Sequence, residues 1–535
     1  MPELASPPTL PRWLRMLTEQ FGTREAVVQD TRRITFSEAE AKSARLALGL
    51  RARGVGKGSH IGVLFPNGVD WFVAWLAVTR IGAVAVPINT FFQARELGWV
   101  LRHADIQMLL TAPHFLSNDY LERLESAVPG LADSKSAPLT LEAHPSLREI
   151  VVWGDEVPAW ATARREVAPT DAPDRSFLKS LEDAVAPSDT LFLLYSSGST
   201  SDPKGAIHSH GAVLRHSHAL HSFGDLGPDD RVWSPMPFFW VGGLVFALLG
   251  NLHAGACTLC ESVFDPEATL RFLEEERATV AIGWPHFGKA LAEHPSRTER
   301  DLSALRRGNV PDILSEEVCP ADPELRATAL GMTETCGPHT WGGSGKLPEH
   351  ERATFGRAVP GVEHKIINPR TGHTLAVGES GEICVRGYSL MQGLHKVPRE
   401  DIFDPDGFYH TGDGGFFDAE GLLHFEGRLG EMIKTGGANV TPSEIEAVLL
   451  GFEEVAEAYV VGVPDADRGE RVAAAVVLEH ATSADPEELK RRVKRELAAY
   501  KVPHVLRIAE SGTLPFTDSG KIDKRRLREE LSRIA

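Results

Sequence analysis

A loop rich in hydroxyl groups and glycine follows an apolar run near residue 191. The run Leu191–Leu194 is typical of a buried strand, and residues 196–205 then read SSGSTSDPKG. Backbone N–H groups, hydroxyl donors and one lysine are what a polyphosphate requires. The loop is not a P-loop, because Lys204 precedes Gly205 and Ala206 rather than Ser or Thr. The alternative is a solvated turn. The predicted phosphate-binding residues are Ser196, Ser197, Gly198, Ser199, Thr200 and Lys204.

Further motifs follow the loop in a fixed order along the chain. They are GMTE at Gly331–Glu334, YHTGD at Tyr409–Asp413, GRLGEMIKTGGANVTPSEIE at Gly427–Glu446 and LPFTDSGK at Leu514–Lys521. Together they resemble the adenylate-forming superfamily of acyl-CoA synthetases, nonribosomal-peptide adenylation domains and beetle luciferases. The loop matches that family's signature except for Ser201, which stands where glycine is usual.

The resemblance implies a reaction in two halves. A carboxylate attacks the α-phosphate of ATP to give an acyl-adenylate and pyrophosphate, and a thiol, usually that of CoA, then displaces AMP. Positive charge is needed where the phosphorus oxygens gain negative charge. The resemblance makes Lys521 the first catalytic candidate. The alternative is a solvated lysine in the basic tail KIDKRRLREE.

The resemblance also assigns the remaining nucleotide-binding residues. Thr333 and Glu334 would lie at the phosphates, where a carboxylate has a role if it holds Mg²⁺. Asp413 would accept hydrogen bonds from the ribose hydroxyls, and Arg428 would donate to the ribose or phosphate.

A glycine-rich segment is expected beside the channel for the pantetheine of CoA. Gly436 and Gly437 would let the backbone approach closely, and Lys434 would be a catalytic residue of thioester formation. The alternative for Lys434 is a solvated side chain in a flexible turn.

The predicted acid pocket combines aromatic and small residues. Aromatic walls favour an apolar acid, and glycines leave room for its tail or rings. No charged residue lies between Pro235 and Leu252, so an amino-acid substrate is not expected. The alternative is that these aromatics fill the core. The predicted lining residues are Phe238, Phe239, Trp240, Gly242, Gly243 and Trp284.

The chain departs from the family pattern near the adenine. Leu330 stands where tyrosine is usual, the usual Gly-Gly-x-Pro loop is not recognisable, and Gly430 replaces a charged hinge residue. No adenine-binding residue is therefore assigned, while a glycine at the hinge still permits rotation.

Composition excludes several classes of protein. The net charge of −18 argues against binding to nucleic acid or to anionic membranes. No apolar run is long enough to span a bilayer, and no secretion signal is recognised. The five cysteines fit a reducing compartment, so a cytoplasmic location is expected. Neither Cys257-x-x-Cys260 nor the histidines between His208 and His221 are predicted to bind a metal.

Alternating patterns near the N-terminus predict a parallel sheet flanked by helices. Ser37-x-x-Glu40 is interpreted as a capping box, and residues 113–185 as loops and surface elements. The predicted helices and strands include a strand over 60–65, a helix around 71–76 with one apolar side, a strand over 83–87, a helix from 442, strands over 458–463 and 472–478, and a helix over 486–497.

The predicted fold is therefore α/β, with a large N-terminal adenylate-forming domain of parallel and mixed sheets and a small α+β C-terminal domain. The predicted domains are residues 1–428, which bind ATP and the acid, and 429–535, which is mobile and carries Lys521. The predicted activity is an AMP-forming ligase for a hydrophobic carboxylic acid, with ATP, Mg²⁺ and CoA.

Two alternatives stay open. One is a stand-alone adenylating enzyme that loads an acyl-carrier protein; the absence of a carrier domain after Lys521 favours free CoA instead. The other is a non-catalytic nucleotide-binding paralogue, against which intact Lys204, Glu334, Asp413 and Lys521 argue. A homodimer and the identity of the acid are also left open.

Overall fold

The structure is a computed structural model that describes residues 4–154, 156–167, 174–196, 203–429, 432–479, 482–510, 513–516 and 522–535. Its contacts divide the chain into two compact units. The larger unit consists of Met1–Thr90, Leu101–Tyr195 and Gly205–Gly427, and the smaller of Phe91–Val100, Ser196–Lys204 and Arg428–Ala535. Within the described ranges, no helix has the length and apolar character needed to cross a membrane.

An eight-stranded sheet organises the larger unit. Its central strands pair in parallel, as His60–Leu64 does with Val84–Pro87 on one side and Met108–Thr111 on the other. Such pairing requires a crossover, which helices supply. The strands in spatial order are Gly393–Leu394, Lys204–Ser209, Thr190–Ser196, Val84–Pro87, His60–Leu64, Met108–Thr111, Glu149–Val152 and Thr162–Ala163.

The helix Val69–Thr79 connects two of these strands and is buried on every side. The sequence predicted a helix here with one apolar side. The helix is confirmed, but its other face is covered by the helix Phe36–Ala52 and by strands of both larger sheets. A helix that is hydrophobic all round belongs in a core.

Two local expectations are wrong. The capping box of the helix Phe36–Ala52 is formed by Thr35 and Glu38, each bonding the other's backbone N–H, and not by Ser37 and Glu40. Thr35 has the extended backbone of an N-cap, two residues earlier than expected. The region interpreted as loops and surface elements, residues 113–185, also contains the buried strand Glu149–Val152, whose apolar run is too short to stand out.

A six-stranded sheet forms the second layer of the larger unit and is parallel except for its edge strand Arg32–Thr35. Its carboxyl ends meet at one edge, which is where ligands bind in open α/β sheets. The strands in spatial order are Arg307–Gly308, Val280–Ala281, Arg231–Trp233, Cys257–Cys260, Glu25–Gln29 and Arg32–Thr35.

Helices and an antiparallel sheet complete the larger unit. The sheet contains Val362–Ile367, Gly381–Gly387, Tyr409–Phe417 and Leu423–Arg428. The segment Gly242–Leu249 is a π-helix, a rare form that is frequent at functional sites. The other helices are Leu10–Phe21, Phe36–Ala52, Tyr120–Ala127, Arg164–Val167, Arg175–Asp183, His210–Gly224, Gly250–His253, Pro266–Glu275 and Pro285–Ala292, and the helix Ala94–His103 is divided between the two units.

The smaller unit has its own apolar core under a five-stranded sheet. The four elements predicted for it from the sequence are confirmed as Pro442–Leu450, Val455–Asp465, Gly469–Leu478 and Pro486–Glu496. Its other elements are the strands Ile433–Thr435, Ala438–Val440 and Val505–Ala509 and the helix Lys524–Ser532.

Candidate active site

The predicted phosphate loop joins two neighbouring strands of the eight-stranded sheet. Ser196 ends the strand Thr190–Ser196, and Lys204 begins the strand Lys204–Ser209. Ser197, Gly198, Ser199 and Thr200 lie outside the described residues, so their phosphate-binding role stays a prediction.

The GMTE motif is held against this second strand. Nε2 of His208 donates to the carbonyl oxygen of Thr333 at 2.8 Å, and the backbone N–H of Met391 donates to the carbonyl of Glu334 at 2.8 Å. Burial lowers the pKa of His208 to about 4, so the imidazole is neutral and Nε2 carries the proton. The two motifs that were expected to meet at the phosphates are therefore linked through the strand that Lys204 begins.

A glycine is required at the start of the GMTE motif. A Cβ atom at Gly331 would lie 2.3 Å from the carbonyl oxygen of Gly337 on the paired strand. The turn after Gly331 is closed by the hydroxyl of Thr335, which accepts a hydrogen bond from the backbone N–H of Met332 at 3.1 Å. Thr333 and Glu334 are thus presented by a short, fixed turn.

Asp413 is buried on the strand Tyr409–Phe417, with 2% of its surface exposed. The hydroxyl of Thr411 donates to the carbonyl of Ile383 at 2.6 Å and accepts the backbone N–H of Asp413 at 3.0 Å. A buried carboxylate on a backbone fixed in this way is suited to accept hydrogen bonds from a ribose. Arg428 ends the strand Leu423–Arg428, and its side chain lies outside the described residues.

The predicted CoA segment forms a β-hairpin in the smaller unit. Ile433–Thr435 pairs with Ala438–Val440 through Gly436 and Gly437, whose φ angles are 54° and 81°. Left-handed angles at both central residues fit a type I′ turn, which favours glycine. The backbone N–H of Lys434 donates to Oε2 of Glu470 at 2.8 Å, so the hairpin is anchored without the lysine side chain.

Lys521, the first catalytic candidate, lies outside the described residues, so its role stays a prediction.

A cavity of about 370 Å³ lies at the carboxyl edge of the six-stranded sheet. Trp284 follows the strand Val280–Ala281, and Asn309 follows Arg307–Gly308. Pro338, which pairs with Gly331 of the GMTE motif, lines the same cavity. The wall is mainly apolar, and includes Leu220, Leu226, Phe246, Ile282, Trp341 and Phe355.

The residues predicted for the acid pocket are divided between cavity and core. Trp284 lines the cavity, and the ring of Trp240 packs edge-on against it at 5.7 Å between centroids. Phe238 is fully buried against Trp71, and Phe239 is also buried. Their role in binding the acid stays a prediction.

Gly242 and Gly243 differ in the space that the structure leaves for a side chain. A Cβ atom at Gly243 would lie 2.0 Å from the carbonyl oxygen of Pro237, so the backbone itself requires a glycine there. At Gly242 the nearest atom to such a Cβ is Sδ of Met236 at 3.6 Å, an ordinary contact.

Sequence reasoning missed several residues of the cavity, among them His221, Asn251 and Asn309. Asn309 had a signal, because Gly308-Asn309-Val310-Pro311 has the spacing of Gly-Gly-x-Pro with one glycine replaced. Gly308 has a φ of 134°, and a Cβ there would lie 1.9 Å from the carbonyl oxygen of Ala281. His221 and Asn251 had no local signal, because the fold brings them together from different segments.

The chain matches known families along most of its length. The AMP-binding enzyme family matches residues 14–395, and the AMP-binding enzyme C-terminal domain matches residues 444–521. A Bacillus subtilis protein with the provisional name acyl-CoA synthetase YngI is 32% identical, with 98% of this chain and 97% of that protein covered.

Two further proteins extend the comparison. A Mycobacterium tuberculosis ligase named for CoA and a 3-(7a-methyl-1,5-dioxo-octahydro-1H-inden-4-yl)propanoyl group is 32% identical, with 97% of this chain and 98% of that protein covered. The solved amide bond synthetase McbA from Marinactinospora thermotolerans has a TM-score of 0.78 at 26% identity, with 97% and 99% covered. The predicted fold class is confirmed. The chain belongs to the AMP-binding enzyme family and is an AMP-forming acid–thiol ligase that uses ATP to join a carboxylic acid to CoA.

Proposed function

We propose that the acid is hydrophobic and that its apolar part occupies the cavity at the carboxyl edge of the six-stranded sheet. The observation that carries this proposal is the mainly apolar wall of a cavity of about 370 Å³. Ligand pockets of this size bury most of an apolar ligand and contact it mainly through aromatic and aliphatic side chains. The bicyclic propanoyl group named for the M. tuberculosis relative is an acid of this kind.

The adenylating half-reaction is assigned to residues of four motifs. Ser196, Ser197, Gly198, Ser199, Thr200 and Lys204 bind the β- and γ-phosphates. Lys521 is the residue proposed to reach both the acid carboxylate and the α-phosphate, where its charge would screen their repulsion and stabilise the charge that develops on phosphorus. Asp413 accepts from the ribose hydroxyls, which its burial and fixed backbone support. Arg428 donates to the ribose or phosphate.

Mg²⁺ is the metal expected with the nucleotide, and Glu334 is the residue proposed to hold it. The turn that presents Thr333 and Glu334 offers a half-buried carboxylate beside a hydroxyl, which are the oxygen ligands that Mg²⁺ prefers. The ion would neutralise charge on the phosphates when bound. The chain's own contribution is to hold the backbone of Glu334 through the hydrogen bond from the N–H of Met391 to the Glu334 carbonyl.

The thioester half-reaction is assigned to the hairpin of Lys434, Gly436 and Gly437, with free CoA as the acceptor. The CoA ligase names of the relatives support this acceptor. Loading of a separate acyl-carrier protein stays the alternative acceptor, a homodimer stays open, and a cytoplasmic location stays a prediction from the sequence.

The test supplies ATP, Mg²⁺, CoA and a panel of straight-chain, aryl and bicyclic acids, with short polar acids as matched controls. Release of pyrophosphate and AMP, together with a CoA thioester identified by mass, is the expected result for the apolar acids. Faster turnover of the short polar acids would contradict the proposed substrate class. An amide from an added amine, with no thioester, would favour the reaction named for McbA instead.

A further inference from the structure

Three side chains that can bind a transition metal converge on the antiparallel sheet of the larger unit. Glu382 and Cys384 belong to the strand Gly381–Gly387, and His410 belongs to the strand Tyr409–Phe417. Each offers one ligand atom, which is a carboxylate oxygen, a sulfur or a ring nitrogen. The three ligand atoms all lie within 4.8 Å of one another, so a single ion can reach all of them after a small adjustment.

The pairing of the two strands brings these side chains together. Cys384 and His410 are directly opposite in the ladder, so their side chains leave the same face of the sheet. Glu382 precedes Cys384 by two residues, and side chains two apart on a strand share a face. The cluster is therefore positioned by regular backbone rather than by a loop.

The distance between Glu382 and His410 matches the geometry of a zinc site. Nδ1 of His410 lies 3.2 Å from Oε2 of Glu382. Two ligand atoms bound at tetrahedral angles to one Zn²⁺ lie about 3.4 Å apart. The other oxygen of Glu382, Oε1, accepts the backbone N–H of Gly412 at 3.1 Å, which holds the carboxylate. The sulfur of Cys384 has to move by on the order of 1 Å to reach the same ion.

A second carboxylate faces the other ring nitrogen of the histidine. Nε2 of His410 lies 3.7 Å from Oδ2 of Asp404. Asp404 is held by Nζ of Lys365 at 2.5 Å and by the backbone N–H of Phe408 at 2.8 Å. Histidines that bind metals almost always donate their second N–H to a carboxylate, a backbone carbonyl or water. Asp404 is placed for this role and would orient the ring of His410.

The charges and the ligand types favour a borderline-soft divalent ion. Lys365 already pairs with Asp404, and an ion of charge +2 would neutralise the Cys384 thiolate and the Glu382 carboxylate together. Sulfur and imidazole ligands suit Zn²⁺, whereas Mg²⁺ prefers oxygen. Cys384 is fully buried, but the side chain of His410 is 40% exposed, which gives an ion access from that side.

We propose that Glu382, Cys384 and His410 form a binding site for Zn²⁺, in addition to the Mg²⁺ expected with the nucleotide. Three protein ligands leave the fourth tetrahedral position to water. On binding, the S–H bond of Cys384 breaks, a sulfur–zinc bond forms and the proton passes to water. Asp404 is a positioning residue, because it acts through the imidazole.

The ion would join the strands at the bulge that carries Asp413. The pairing register shifts between Glu382 and Cys384, so that Thr411–Asp413 bulge opposite Ile383. Two of the proposed ligands flank Ile383, and His410 directly precedes the bulge. Zinc is therefore expected to restrict opening of this strand pair.

The experiment uses the full-length enzyme, freed of metal by a chelator and kept without nucleotide or acid. Zn²⁺ is titrated by calorimetry, and Co²⁺ serves as the spectroscopic probe. The expected results are one ion per chain, a sulfur-to-cobalt charge-transfer band and a higher Tm, since an ion that binds only the folded state stabilises it. Hydrogen exchange should slow in residues 381–387 and 409–417. Mg²⁺ alone should produce none of these changes.

Variants assign the ligands. Cys384→Ser should abolish the charge-transfer band, and His410→Ala should raise the Kd for Zn²⁺ by more than about 100-fold. Asp404→Asn should raise the Kd by about 10–100-fold and keep the band, as expected for a residue outside the ligand set. The control His424→Gln removes a histidine that lies 2.9 Å from a carboxylate, that of Asp418, on the neighbouring strand, and should leave Zn²⁺ binding unchanged.

The outcomes are decisive without any assay of the ligase reaction. Absence of Zn²⁺ binding to the wild-type protein overturns the inference, and this result does not depend on whether the variants fold. Binding that survives both Cys384→Ser and His410→Ala also overturns it, because the ion would then lie elsewhere. A Co²⁺ complex without the charge-transfer band would exclude the sulfur as a ligand and contradict the proposed site.

Discussion

Nε2 of His208 donates a hydrogen bond to the carbonyl oxygen of Thr333 at 2.8 Å, across 125 residues of sequence. His208 belongs to the strand that follows the phosphate loop, and Thr333 to the GMTE turn. His208 is fully buried, so the bond forms in a region of low dielectric, where an unmet carbonyl is costly. One neutral histidine therefore fixes the spacing of two motifs expected at the nucleotide.

Replacing His208 by phenylalanine should weaken nucleotide binding and the fold together. The carbonyl of Thr333 would lose its donor, which costs about 1–3 kcal/mol of unfolding free energy. The KM for ATP in pyrophosphate exchange should rise as the turn loosens. The variant His208→Gln, whose amide nitrogen can take the place of Nε2, should retain most of both properties. Equal losses in the two variants would mean that ring packing, rather than the hydrogen bond, matters.

Stability should fall as the pH is lowered, because several histidines are buried in the neutral form. His210 accepts the backbone N–H of Leu10 at Nδ1, at 3.1 Å, and burial lowers its pKa to about 3. Since the pKa in the unfolded chain is about 6.5, the unfolded state binds the proton first. His210 therefore lowers the unfolding free energy by about 1.4 kcal/mol per pH unit as the pH falls from 6.5 towards 3.

The variant His210→Asn isolates this contribution. Its side-chain oxygen can accept the same N–H but cannot titrate, so denaturant unfolding at pH 7, 6, 5 and 4 should show a shallower loss of stability than in the wild type. Parallel pH profiles for the two proteins would show that His210 titrates alike in the folded and unfolded states.

Lys521→Ala should nearly abolish adenylate formation. Loss of one donor to a charge that develops in the transition state costs about 10²–10³ in rate. Arg525→Ala is the matched control, because it removes an exposed cation four residues away in the same basic segment. ATP–pyrophosphate exchange measures the effect, and near-normal exchange in Lys521→Ala would remove this lysine from the mechanism.

The parts of this protein that the sequence predicts well are those that local chemistry specifies. The helices and strands expected within residues 442–497 are confirmed, because short apolar runs and helix-start signals in the local sequence specify them. The alternation of strand and helix patterns over residues 60–87 likewise predicted the parallel strand pairing that the structure has.

The cavity is different, because its wall is assembled from a helix at His221, a helix at Asn251 and two strand ends at Trp284 and Asn309. No periodicity connects these positions. Aromatic residues of a binding site and of the core look alike in sequence; Phe238 packs against Trp71, and its role at the acid stays a prediction.

Lys434→Ala should separate the two half-reactions. The hairpin is held by its backbone bond to Glu470 and by its paired strand, so it should persist when the lysine side chain is removed. Adenylate formation should then be nearly unchanged, while transfer to CoA slows. Single-turnover assays of each step decide this, with Lys434→Arg as the variant that keeps the charge. An equal fall in both steps would make Lys434 a structural or shared residue.

The neighbouring glycines 242 and 243 should respond to alanine in opposite ways. At Gly243 the new Cβ would lie 2.0 Å from the Pro237 carbonyl oxygen, so the backbone must shift, and we expect a loss of about 1–3 kcal/mol in unfolding free energy. At Gly242 the nearest atom would be 3.6 Å away, and alanine should be neutral or stabilise by about 0.5–1 kcal/mol because it restricts the unfolded chain. Thermal and denaturant unfolding of the two variants measure the difference. If Gly243→Ala kept the wild-type stability and changed only the preference among acids, the segment would belong to the acid site, as its sequence had suggested, rather than to the packed backbone around Pro237.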